Sequence, residues 1–195
     1  WTNDGGAGKT TYVITLYCPC DKKYATTKGF TVWDQHKTHF EQIGRPDADP
    51  CDELFNEIVD KLVQWKQEDS EIILVGDIND DVYTGKLAKR MEEQDINMAE
   101  QVLETTGSRI PPTHERGNRP ICGAYATSGV VCKAAEVLQR GVGVDDHLAF
   151  LLDFCSHSVV GSLHPRIVPP AGRLLRSDVY GCRTKYNRVL EQLVS

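Results

Sequence analysis

The chain has 195 residues, 40% of them hydrophobic, and a net charge of −6, which suits one domain with a real core or one domain plus an appendage. No apolar run approaches the ~20 residues that span a bilayer. The opening, Trp1 to Gly6, has neither the basic nor the apolar region of a signal peptide, so an intracellular protein is expected. It also begins without Met, and a piece of a longer protein is expected. Seven cysteines at irregular spacing read as reduced thiols rather than a disulfide framework. Cys18 and Cys20 are the only close pair. With His36 and His39 they could hold zinc, although no second pair has matching spacing.

Charge is uneven along the chain. From His157 onward six basic residues face two acidic ones, which leaves residues 1–156 at −10. The basic tail reads as a solvated helix and linker that could touch a phosphate backbone.

The segment Gly5-Gly6-Ala7-Gly8-Lys9-Thr10-Thr11 looks like a nucleotide-binding P-loop. Such a loop needs a strand before it and a helix after it. Tyr12 to Tyr17 is β-branched and aromatic, which reads as a strand. Pro19 ends that strand. The spacing of Val32, His36, Phe40 and Ile43 predicts a helix over Thr31 to Ile43. A stronger helix opens at Asp49-Pro50, with Asp49 as N-cap, Pro50 in the first turn and an apolar stripe from Leu54 to Val63.

That helix feeds Glu71-Ile72-Ile73-Leu74-Val75-Gly76-Asp77-Ile78-Asn79. The apolar run predicts a strand buried on both faces. It stops at Gly-Asp-x-Asn. Residues i and i+2 of extended backbone share a side, so Asp77 and Asn79 are expected to face one cleft. A carboxylate and an amide there suit chemistry on phosphate.

Helices are expected over 84–94 and 96–105. Ile110 to Pro120 is a polar loop of the kind that carries function. Strands are expected near 121–127 and 129–134, and a further buried strand over 148–154. Asp145-Asp146-His147 stands directly before this last strand. The two acid-bearing corners together suit metal-assisted phosphoester hydrolysis.

The order of these motifs resembles the endonuclease/exonuclease/phosphatase superfamily, and within it the endonuclease domain of non-LTR retrotransposons. The resemblance runs from Tyr12 to Gly161. It rests on Tyr17-x-Pro19, the helix near Phe40, Trp65, Ile73 to Asn79, Pro112-Thr113, Arg116-Gly117, Arg119-Pro120-Ile121 and Asp146-His147. It implies an α/β (α+β) fold, a two-layered β-sandwich flanked by helices, over residues 1–161, with 162–195 as a connector. The first strands of the family, with their Asn and metal-binding Glu, are expected to lie upstream.

By the same resemblance Tyr17 lies near the substrate phosphate, Asp77 handles the attacking water, and Asn79 contacts the phosphate. Asp146, with Asp145 beside it, belongs at a Mg2+ (or Mn2+) site, and His147 stabilises the transition state. Thr113, Arg116 and Arg119 reach toward DNA. A reverse transcriptase encoded alongside and a nuclear location follow from the retroelement likeness.

One departure stands out. Where the family carries an Asp bonded to the catalytic His, this chain has Cys122. A thiol cannot supply a counter-charge to imidazole, and weak or absent nuclease activity is expected. The alternatives are a catalytically decayed domain that binds DNA or a partner, and the P-loop nucleotide-binding protein.

Overall fold

The computed structural model describes residues 2–4, 9–20, 29–142 and 146–161, with Thr184 and Arg188 as isolated positions. The chain divides into two units, Trp1–Ser162 and Leu163–Ser195. The first unit is a mixed α+β architecture with two sheets and flanking helices. The connector expected over 162–195 lies almost wholly outside the described residues.

The main sheet has five strands in the order β1-β2-β3-β5-β4. They are β1 (Thr2–Asp4), β2 (Thr10–Tyr17), β3 (Glu71–Asp77), β5 (Cys122–Thr127) and β4 (Met98–Glu100). β2 and β3 run parallel, and every other pairing is antiparallel. β6 (Cys132–Val137) and β7 (Phe150–Phe154) form a separate two-stranded sheet.

The parallel step from β2 to β3 crosses over through two helices, α1 (Val32–Gln42) and α2 (Pro50–Gln67). Both begin where the residue chemistry places them. Thr31 caps α1 in a reciprocal capping box with Asp34. Asp49 caps α2 by accepting from the Cys51 and Asp52 N–H groups, with Pro50 in the first turn. The apolar stripe of α2 buries Phe55, Val59 and Leu62, each contributing about 1.5–3 kcal/mol by leaving water. Tyr12 of β2 stacks on Trp65 at 4.1 Å, which ties this helix to the strand.

β3 is central, with cover on both faces. Ile72 and Leu74 enter the large core with Phe55, Leu62 and Leu87. Ile73 points the other way and packs with Ala126 and Val130. This alternation is the reason an almost unbroken apolar run is needed there.

Several expectations need correction. The 96–105 helix is two elements, β4 and then α4 (Gln101–Thr106), because β4 pairs with the edge of β5 and that ladder overrides local helix propensity. The strand expected near 129–134 lies at Cys132–Val137. β7 is not buried on both faces: its exposure alternates along the strand, and Leu151 is 60% exposed. A two-stranded ribbon packs one face on the core, through Ala135, Val137, Phe150 and Leu152. α3 (Lys86–Glu93) is shorter than the 84–94 span expected for it, and α5 (Ser156–Val160) had no counterpart in the sequence pattern.

β2 starts at Thr10, immediately after Lys9, where a P-loop would start its helix. Lys9 instead pairs with Asp69 and Glu71. The nucleotide-binding alternative is dropped on this ground.

Candidate active site

The site forms at the rim where β2 and β3 end and β5 begins. Register places Tyr17, Asp77 and Cys122 side by side in one row across three strands. In-register neighbours on adjacent strands project from the same face. A phenol, a carboxylate and a thiol are thereby brought together from positions 105 residues apart in sequence.

Gly76 sets the last step of β3. Its φ of +157° and the position of Leu16 leave no room for a side chain, since a Cβ there would fall onto the Leu16 carbonyl. Asp77 then closes a tight turn: its carboxylate accepts from the Asn79 backbone N–H at 3.1 Å. Asn79 takes a left-handed φ of +50°, which Asn tolerates better than most residues. Asp77 and Asn79 do line one cleft, but through this turn, because extended backbone ends at Asp77. The Asn79 amide is occupied at both hydrogens, donating to the Cys18 carbonyl at 2.6 Å and to Asp77 at 3.3 Å.

The second corner arrives by a different route. The loop 110–120 is clasped to the segment before β7. Glu115 N–H donates to the Asp146 carbonyl and Leu148 N–H to the Thr113 carbonyl, each at 2.8 Å. His114 and His147 form the antiparallel bridge between these segments. Thr113 is fully buried. Its hydroxyl oxygen accepts from the Ile121 and Cys122 N–H groups at 2.9 and 3.1 Å. Thr113 thus ties the loop to β5 and does not line the cleft, while Arg116 and Arg119 do. Arg119 also lies 3.8 Å from Asp80. Asp145 lies outside the described residues.

At the centre, Cys122 Sγ is 3.1 Å from His147 Nδ1. One ligand atom each from Asp77, Cys122 and His147 lie within 4.8 Å of one another. The same holds for His114, Asp146 and His147. His114 Nε2 is 3.0 Å from Asp146, and His147 Nε2 is 3.8 Å from its other oxygen. The two imidazole rings meet edge to face at 5.0 Å.

Burial pushes the Asp77 carboxyl above its ordinary range, against the pull of the Asn79 N–H and the His147 ring. Burial and then the Asp77 charge push the Cys122 thiol up to about 12. Cys122 is therefore a neutral thiol at physiological pH, not a thiolate.

Two groups among the described residues could hold a metal ion, and each mixes one carboxylate with imidazole or thiol. Mg2+ takes oxygen ligands in near-octahedral geometry, so neither group by itself matches it. Cys18, Cys20, His36 and His39 belong to neither group. Among the described residues no cysteine is in a disulfide.

The sequence pattern did not single out His114. Its signal was present, an imidazole between Thr113 and Arg116 in a polar loop, but its partner Asp146 is distant in the chain.

Fold and site together define an α+β chain with an acid, imidazole and thiol cluster at the end of its central strands. The cleft measures about 980 Å³ and is also lined by Tyr17, Phe30 and Trp33. No protein-family model matches the chain, and no curated protein matches it. Among solved structures it is similar to that of the human Nocturnin catalytic domain with bound sulfate anion, at 16% identity and a TM-score of 0.45. The match covers 77% of this chain and 48% of that one, so the chain spans about half the length of that structure. No helix of the described residues is long and apolar enough to cross a membrane.

Proposed function

We propose that this cleft is a phosphodiester hydrolase site of nuclease type, acting on DNA, weakened by the thiol at position 122. One observation carries the reading: Asp77 and His147, 70 positions apart in sequence, bring their reactive atoms within 4.8 Å of one another. An acceptor beside an imidazole is the pairing that water activation and charge stabilisation at phosphorus require. Arg116 and Arg119 stand on the same cleft as Tyr17, 57% exposed, and Phe30, 69% exposed. Cationic side chains for the backbone and open aromatic faces for bases favour a nucleic acid over a small phosphate ester.

In this reading Asp77 holds the attacking water and His147 faces the leaving or equatorial oxygens. Asn79 acts through Asp77, since its amide fixes the turn. Tyr17 borders the phosphate. Asp77 and Asp146 would offer carboxylate oxygens to Mg2+ or Mn2+, with water and substrate oxygens filling the rest of the shell. Asp145, Thr113, a reverse transcriptase partner and a nuclear location rest on the sequence resemblance alone.

Cys122 favours a second reading, a domain that binds DNA without cutting it. It leaves His147 facing a neutral thiol where the resembling family has a carboxylate. Losing such a positioning carboxylate costs up to ~10⁴-fold in rate. Nicking of supercoiled DNA with added Mg2+ or Mn2+ tests both. The hydrolase reading expects faint nicking that Asp77→Ala abolishes and Cys122→Asp raises at least about tenfold, consistent with a restored positioning carboxylate. Gel retardation without nicking in either protein supports the binding domain instead. Neither nicking nor retardation sinks both.

A further inference from the structure

A row of close polar contacts runs through the second corner and ends on Cys122. The Arg116 backbone N–H donates to His114 Nδ1 at 3.1 Å. That nitrogen must hold a lone pair, so the His114 proton sits on Nε2. Nε2 lies 3.0 Å from Asp146 Oδ2. The other Asp146 oxygen lies 3.8 Å from His147 Nε2. This is too long for a direct hydrogen bond. The other ring nitrogen, Nδ1, stands 3.1 Å from Cys122 Sγ. An Asp77 carboxylate oxygen, the Cys122 sulfur and one ring nitrogen of His147 all lie within 4.8 Å of one another.

A lone pair on imidazole, a sulfur and a carboxylate in one small volume are the donors of a transition-metal centre. We propose that Cys122 Sγ, His147 Nδ1 and an Asp77 carboxylate oxygen form a three-ligand site for Zn2+ or a similar borderline divalent ion. Three mixed protein ligands with one place for water is the usual count of an open zinc site. The thiolate and the carboxylate together balance the charge of the ion. With Nδ1 on the ion, Nε2 would carry the proton and face Asp146 at 3.8 Å, the kind of carboxylate that commonly backs a metal-bound histidine. His114 stands against that carboxylate, and the Arg116 N–H in turn holds the His114 ring.

The balance is simple. Without metal, Cys122 is a thiol, its ionisation held back by burial. On binding, the ion takes its place and one proton leaves to solvent. The ligand set follows from the described side chains whether or not the cleft cuts DNA, and it accounts for the poor match to Mg2+.

The test uses the full chain, reduced, with Co2+ as the spectroscopic stand-in for Zn2+. One equivalent should bind with a sulfur-to-cobalt charge-transfer band in the near ultraviolet, and Zn2+ should displace it. The band should vanish in Cys122→Ser and His147→Gln and persist in the Cys18→Ser/Cys51→Ser double variant. Asp146→Asn should weaken binding roughly tenfold to a hundredfold. Should Cys122→Ser lose its fold by circular dichroism, alkylation of the parent protein decides, because Zn2+ must then protect Cys122, mapped by mass spectrometry. No cobalt band, a band that survives Cys122→Ser, or alkylation of Cys122 unaffected by Zn2+ overturns the proposal. Loss of DNA nicking with the cobalt band intact would reject the hydrolase reading and leave this one standing.

Discussion

The two corners of the site are held by different means. The Asp77 corner is the end of a seven-residue strand paired on both sides, to β2 and to β5. Its position is set by ladder register, by a glycine with no room for a Cβ, and by a closed turn onto Asn79. The Asp146–His147 corner has no strand of its own. It hangs on a backbone clasp to the loop 110–120, and that loop is pinned by the Thr113 hydroxyl and by Ile78 and Val82 N–H bonds to the Ile121 and Pro120 carbonyls. One side of the site is rigid by burial and register. The other is placed by a few polar bonds and stays half-exposed. A site that must admit substrate and water can put its adaptable half on a loop only if the opposite half does not move.

Four substitutions sharpen that contrast, in decreasing order of expected effect. Gly76→Ala drives a Cβ into the Leu16 carbonyl at a φ that L-residues avoid. It should cost roughly 4 kcal/mol or abolish folding, read by urea denaturation. A loss under about 1 kcal/mol would show that the first corner is not rigid. Thr113→Val keeps the shape and removes the hydroxyl that serves two buried N–H groups. About 2–4 kcal/mol should be lost, with faster amide exchange at Cys122 and Leu148 by hydrogen-exchange mass spectrometry. Unchanged exchange at Leu148 would mean that the clasp does not depend on the pin.

His114→Ala frees Asp146 from its partner. Both groups are about a third exposed, so solvent screening limits the loss to about 0.5–1 kcal/mol. Thermal unfolding measures it, and a larger loss would place the second corner among the buried, rigid elements.

Asp77→Asn has the smallest effect on stability and the opposite sign. The folded carboxyl has a raised pKa, chiefly through burial, so the fold favours its protonated form. Near and below pH ~3.9 the unfolded chain is protonated too, and parent and variant should be equally stable. As pH rises through the raised folded value the parent ionises at a cost that the amide never meets. The variant should therefore unfold at a slightly higher temperature at neutral pH and not in acid. The reverse pattern would show that the imidazoles, not burial, dominate at Asp77.

Much of the first corner was legible in the residues. An apolar run ending at Gly-Asp-x-Asn announced a buried strand and a polar rim, and Asp49-Pro50 announced the helix that covers it. These are local signals, since burial pattern, caps and turn chemistry lie within a few residues of one another. The second corner was legible only as composition. That Thr113 turns inward, that His114 reaches Asp146, and that β4 forms at all depend on partners far along the chain.

The sequence by itself determined the longer elements, from β2 through α2 to β3, and the residue types at the two corners, because periodicity and capping act over short range. Only the tertiary structure decided that Cys122 lies against His147 Nδ1 and that His114 lies against Asp146. Those are matters of register and contact between segments that meet solely on folding, and they separate a hard-ion site from a thiol-bearing one.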